Sequence, residues 1–217
     1  MTETQTSQIE DLSPRPSTRV IVLGVALAGL SGAAILSETF GPVPMRVTVP
    51  LIVLPGALLL TGLIFASRHR FGELDRFADR VLSGALWGLV ATLAYDAIRP
   101  PLMWIFQYHF DPYRAMPVFG ELITDQPRTT AVAIAVGWTY HFWNGLSFGV
   151  MFALMRPRGG AIAGLIWAMG LQAFMMWSYP TLMQLRLDNP GFLMAGIVGH
   201  AVWGLVLGES LRRWGRE

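Results

Sequence analysis

Two histidines stand in apolar runs of a length to lie in lipid, which offers an imidazole no hydrogen bond. His141 lies in YHFWNGLSFG (140–149) and His200 in GHAVWGLVLG (199–208). Each is the second rung of the same ladder: Gly137, His141, Gly145, Gly149, and, 59 residues later, Gly196, His200, Gly204, Gly208. Residues four apart share one face of a helix, so each imidazole sits in a groove of glycines. Three kinds of chemistry suit such a pair. The first is a polar interior that binds or moves a proton, an ion or a small solute. The second is ligation, with His141 and His200 as axial ligands of a b-type haem or as ligands of copper or zinc, the grooves admitting a flat macrocycle. The third is acid–base work on a lipid-like substrate by Asp96, His109, His141 and His200. The first leads and the haem-bearing redox subunit is the runner-up. The enzyme ranks last, because no nucleophile motif, His-Glu-x2-His run or phosphate-cradling loop is present.

Other polar residues qualify as members of the same site. Asn144 and Phe148 share the face of His141, Trp203 is close to His200, and Gln172 is a further polar group deep in an apolar run. Asp96 and Arg99, in ATLAYDAIRPP, have two readings. They pair with each other near the membrane surface, or Asp96 turns inward and orients an imidazole, as carboxylates do for ligand histidines. His109 and Asp111 form a weak metal-type pair. The 11 methionines, Met175 and Met176 among them, hint at copper but serve more commonly as core filler.

Composition limits the alternatives. The chain is 53% hydrophobic and 14% charged, against about 25% charged in soluble domains. Its charges cluster between long apolar runs, the pattern of a membrane protein. All 16 basic residues are arginine, so lysine Schiff-base chemistry is excluded. There is no cysteine, hence no disulfide, thiolate metal site or thiol nucleophile. The arginines flank apolar segments rather than forming a patch, which argues against a nucleic-acid partner and for the lipid bilayer.

The elements that must position these residues are an all-α integral membrane bundle. Spanning takes roughly 20 apolar residues, and six spans are expected, at 20–38, 49–66, 81–99, 130–155, 161–180 and 192–211. Pro55–Gly56 marks a kink in the second. Asp188 or Asn189 before Pro190 makes a helix start for the sixth. The whole of 20–213 reads as one transmembrane domain behind a disordered tail, 1–19, rich in Ser, Thr, Gln and Pro. With both termini in the cytoplasm, 11 arginines fall on that side and five on the other, the asymmetry of a bacterial-type inner-membrane protein. Residues 1–28 have some features of a cleaved signal, but the apolar run continues to Leu36, beyond a usual h-region. Phe71, Leu74, Phe77 and Val81 are spaced for an interfacial helix over 67–80. The outer loop, 107–128, reads as an aromatic interfacial cap or as a lid or partner-docking loop.

The third and fifth spans repeat as well. Gly84, Gly88, Thr92 and Asp96 match Gly160, Gly164, Ala168 and Gln172. A register shifted by four instead matches Gly84 with Gly164, Trp87 with Trp167 and Pro100 with Pro180. Either way, spans 3–4 and 5–6 look like two parallel copies of one helical hairpin. Small residues every fourth position are what close helix packing requires, within the chain, in a homo-oligomer or against a membrane-complex partner. At 1.5 Å per residue, His141 lies about 16 Å and His200 about 12 Å from their span entries, at similar depth.

Overall fold

The computed structural model describes residues 16–70, 75–183 and 186–215, with backbone alone for 67–70. All regular structure among them is helical. In chain order come α1 (Thr18–Phe40), α2 (Met45–Thr48), α3 (Leu54–Arg70), α4 (Asp75–Ile105), α5 (Ala115–Thr124), α6 (Ala131–Met155), α7 (Ala161–Met183) and α8 (Pro190–Trp214). Five helical stretches are long and apolar enough to cross a membrane: Thr18–Phe40, Met45–Ala66, Asp75–Ile105, Ala161–Met183 and Pro190–Trp214. The chain is a multi-pass helical membrane protein. The helix bearing His141, α6, is long enough at 25 residues but is not among the five. Trp138, Tyr140, His141 and Asn144 at its middle lower its hydropathy.

The second span is irregular just before the proline. Between α2 and α3, Val49–Val53 forms a π-helical turn, and the Leu54 N–H donates to the Val49 carbonyl five residues back. Pro55 has no N–H to offer Leu51, and its ring would crowd that carbonyl. The widened turn relieves both problems.

The separate interfacial helix expected at 67–80 does not form over its described part. Residues 71–74 lie outside the described residues, but from Asp75 the chain is already α4. Phe77 is 0% and Val81 2% exposed. They pack with Ala28, Leu60, Val150 and Leu154 in a core between α1, α3, α4 and α6, and the Phe77 ring fills the space beside Gly24. A phenyl ring with a protein groove available has no reason to lie in the headgroups. The tail expected at 1–19 lies outside the described residues up to 15; Thr18 already begins α1, with Ser17 accepting from the Val20 N–H.

At the other end, α4 runs past residue 99 through Pro100 and Pro101 to Ile105. The long loop that follows contains α5, which ends on Asp125 in the left-handed conformation (φ 57°). This helix lies directly on α6. A Cβ on Gly120 would sit 1.7 Å from the Ala133 carbonyl oxygen, and one on Gly137 1.8 Å from that of Met116. Gly137 therefore seats α5 instead of joining the seam between spanning helices. Asn189 accepts from the Phe192 N–H, and Pro190 opens α8.

Two glycine seams hold the centre. In the first, α4 meets α6: a Cβ on Gly84 would lie 2.7 Å from Gly149 O, and one on Gly88 2.7 Å from Gly145 O. In the second, α7 meets α8: a Cβ on Gly164 would lie 2.0 Å from Gly204 O, and one on Gly208 2.3 Å from Gly160 O. Such backbone-to-backbone contact is open only to glycine. Gly145, Gly149, Gly204 and Gly208 are thus used within the chain. α4 also packs along α8, joining the two seams into one bundle.

Candidate functional site

Beside the seams lies a small cavity lined by α4, α6, α7 and α8, with Ile35 of α1 and Phe119 of α5. It leaves about 80 Å³ free for water-sized molecules. His141, Asn144 and His200 all line it, with Thr92, Tyr95 and Trp203. Three of the five residues expected at the site therefore share one cavity. Asp96 stands behind His141, and Gln172 faces elsewhere.

Asp96 is the centre of a buried polar cluster. It is 8% exposed and Arg99 4%. On a helix Thr92, Tyr95, Asp96 and Arg99 follow at three- and four-residue steps, so all face the interior. The Asp96 carboxylate accepts from the Arg99 guanidinium and also from His141, whose Nε2 is 3.1 Å from both carboxylate oxygens. Asp96 thus contacts Arg99 and the His141 imidazole at the same time. Arg99 donates as well to the Pro112 carbonyl. Its guanidinium carbon lies 4.2 Å from the centre of the Tyr95 ring and 4.9 Å from that of Tyr113, a cation held between two aromatic faces.

Pro100 explains why the loop closes here. A proline has no N–H for the carbonyl four residues earlier, which is that of Asp96. The Tyr113 hydroxyl donates to that carbonyl at 2.9 Å. Tyr113 also packs on Trp138, whose ring edge meets His141. Desolvation holds the Tyr113 phenol above its ordinary pKa, with Arg99 pulling the other way. The loop is thereby tied to the buried cluster through Tyr113 and Pro112.

On the other side, His200 Nδ1 is 2.9 Å from the Gly196 carbonyl oxygen. A carbonyl only accepts, so Nδ1 carries the proton and Nε2 is left as an acceptor. In neutral His141 the proton lies on Nε2, toward Asp96, leaving Nδ1 as an acceptor. Asn144 is 8% exposed and its Oδ1 has no partner. Tyr95 touches both imidazoles, with ring-centre distances of 6.1 Å to His141 and 5.0 Å to His200, which puts the two within about 11 Å of each other. Gln172 is 3% exposed, with both amide atoms unpartnered, and lies over Gly196.

The cavity does not suit a haem. Its 80 Å³ falls well short of the roughly 300 Å³ at which pockets for larger organic ligands begin. The Nε2 of His141 is already directed at Asp96. Among the described residues no three His, Cys, Asp or Glu side chains gather as a metal site. His109 is exposed, and Asp111 accepts from the Tyr113 N–H in its own turn, so these two are not drawn into the cavity.

Sequence reasoning missed three contributors. Tyr95 bridges the histidines. Tyr113 satisfies the Asp96 carbonyl. Thr92 accepts from the Trp203 indole N–H at 3.1 Å, linking α4 to α8. Signals existed for two of them. Tyr95 sits on the helix face of Thr92 and Asp96, and Pro100 announces an orphaned carbonyl at Asp96. Compared with protein-family models, characterised proteins and solved structures, the chain matches none.

Proposed function

We propose that this is a six-span membrane protein whose two helical hairpins, α4–α6 and α7–α8, are copies of one unit enclosing a binding site for a small hydrogen-bond-donating solute. The observation that carries the reading is the cavity wall. His200 Nε2, His141 Nδ1 and Asn144 Oδ1 are all acceptors on residues that line one space, and aromatic rings fill most of the remainder. Such a wall favours a small N–H or O–H donor, including an ammonium-type cation, for which aromatic faces are an attractive surround. Interhelical hydrogen bonds in membranes contribute only about 0.6 kcal/mol each, a weak return for placing His, Asp and Arg at this depth. Transport of the solute is the role that a midplane site between paired repeats favours.

Six spans are supported by the outward side of α6, where Val132, Ile134 and Met155 are exposed while His141 and Asn144 face the interior. The repeat is supported by matched seams. Gly149 meets Gly84 and Gly88 as Gly208 meets Gly160 and Gly164, which favours the register placing Asp96 opposite Gln172. The arginine asymmetry supports cytoplasmic termini in an inner membrane, and a C-terminal reporter fusion tests that.

The site is tested by thermal unfolding of the purified protein with ammonium, methylammonium, urea and, as an acceptor-only control, trimethylamine N-oxide. Binding to the folded state raises the unfolding temperature with concentration. Stabilisation by a donor that disappears in Asn144→Leu and His200→Phe supports the reading. A donor series with no effect, or one equal in all three proteins, overturns it. A donor that binds is then carried into a proteoliposome flux assay.

A further inference from the structure

A second concave site lies at the end of the bundle away from α5. It encloses about 590 Å³ and is lined by Arg76, Arg80, Arg156 and Arg158, with Pro16 and Ile21 at its edge. Arg76 and Arg80 are one helical turn apart at the start of α4, held in place by the buried Phe77 between them. Arg156 and Arg158 belong to the turn between α6 and α7. That turn is rigid: the Arg156 N–H donates to Phe152 O, Gly159 N–H to Arg156 O, and Gly160 N–H to Gly208 O, at 2.7, 2.8 and 2.7 Å. Gly159 has φ +58°, and a Cβ there would lie 2.5 Å from Gly208 O, so the turn admits no other residue without strain. Four arginines from two separate segments thus line one hollow. Asp75 and Asp79 lie on the same stretch of α4, and the charged residues among those lining the hollow are all arginines.

We infer that this hollow binds the phosphate of an anionic membrane lipid. Its position supplies the reason for a lipid. It lies where α4 begins, α7 begins and α1 begins, and all three are helices long and apolar enough to cross a membrane. The ends of such helices lie at the depth of headgroup phosphates. Arginine forks bind phosphate oxygens bidentately, and clusters of basic residues at the membrane edge recognise anionic lipid over zwitterionic lipid. The hollow is separate from the histidine cavity and shares no residue with it.

The test is native mass spectrometry of the full-length protein in detergent, titrated with phosphatidylglycerol, phosphatidylcholine and inorganic phosphate. Three proteins are compared: wild type, Arg156→Gln/Arg158→Gln, and Arg212→Gln/Arg213→Gln. The last pair lies on α8, outside the hollow, with both arginines bonded to Glu209. The expected result is one retained phosphatidylglycerol, with binding weakened by about an order of magnitude or more in the 156/158 variant and unchanged in the 212/213 variant. Equal loss in both variants means general attraction to a positive surface and overturns the site. Equal retention of phosphatidylcholine overturns it too. So does inorganic phosphate that displaces the lipid at matched concentration, since the ligand is then a free anion. Circular dichroism of the 156/158 variant shows that loss of lipid is not loss of fold.

Discussion

The two helix pairs, α4 with α6 and α7 with α8, both close on glycine seams but differ in polarity. Along α4 the seam face reads Gly84, Gly88, Thr92, Asp96, and along α7 it reads Gly160, Gly164, Ala168, Gln172. Three residues further on stand Arg99 in one and Met175 in the other. The first hairpin has a carboxylate between a guanidinium and an imidazole. The second has an amide with no partner, lying on Gly196, next to a methionine in an apolar cluster. In the first pair the buried carboxylate has its counter-charge in the next helical turn. An isolated buried carboxylate would shift to its neutral form or destabilise the fold. Under the proposed repeat, the residues at 96 and 99, and at 172 and 175, set the polarity of each copy.

The largest effect should come from breaking the pair on one side only. Asp96→Ala leaves the Arg99 guanidinium buried without its carboxylate, and such losses cost about 3–5 kcal/mol. Gln172→Ala removes an amide that has no hydrogen-bond partner to orphan, so its cost should be clearly smaller. Reversible unfolding in mixed micelles measures both. Equal losses would mean that the two positions carry the same weight. The sharper variant is Asp96→Gln/Arg99→Met, which gives the first hairpin the residues of the second. Replacing a buried ion pair by neutral side chains is commonly neutral or stabilising. This protein should regain most of the stability lost in Asp96→Ala while losing the solute stabilisation proposed for the cavity. If it remains as unstable as Asp96→Ala, the hairpins are not interchangeable at this position.

Much of this contrast was legible in the residues. The ladders put His141 and His200 on the same rung of two similar helices, and Asp96 had two readings, as the partner of Arg99 or as a carboxylate turned toward an imidazole. The register was not legible, because two alignments both kept small residues on one face. Backbone contact at Gly84–Gly149 and at Gly160–Gly208 favours one of them under the proposed repeat, and no side-chain pattern records backbone contact. Phe77 misled for a related reason. Its spacing fits an interfacial helix, and only the bare face of Gly24, more than fifty residues earlier, gives it a protein pocket. Gly137 and Gly196 belong to the ladders by spacing, yet one receives α5 and the other Gln172. What fills a glycine's empty face depends on chain far away in sequence.

The seams should differ in how they can be repaired. Gly145→Ala would bring a Cβ 1.9 Å from Thr92 Oγ1, and Gly204→Ala one 2.4 Å from the Gly164 carbonyl oxygen. Overpacking of this kind costs about 1–3 kcal/mol. In the first seam the nearest obstacle is a side-chain hydroxyl, so Thr92→Ala should recover part of the loss in a double-mutant cycle. In the second it is backbone, and Ala168→Gly, which removes only the next-nearest atom, should recover little. Equal rescue in both would show that the helices move apart as rigid bodies.

The smallest effect concerns the proline that the first hairpin carries just beyond its polar cluster. Pro100 frees the Asp96 carbonyl, and the Tyr113 hydroxyl is bonded to it. Tyr113→Phe keeps the ring against Arg99 and Trp138 but loses that donor, at a cost of about 1 kcal/mol. The tyrosine also gives the contact a pH limit. Its pKa is raised above the ordinary 10.0, first by desolvation, so the folded state favours the protonated phenol. That contribution is fully present below pH 10.0 and is lost as pH rises through the raised value. Tyrosinate cannot donate to a carbonyl, so the loop should loosen above that point. Trp138, 5.3 Å away between ring centres, reports the change through its fluorescence. The difference between wild type and Tyr113→Phe isolates this step from the other tyrosines. An alkaline transition identical in the two proteins would mean that the loop is held by Arg99 and Pro112 alone, and that Pro100 leaves its carbonyl to be satisfied by other means.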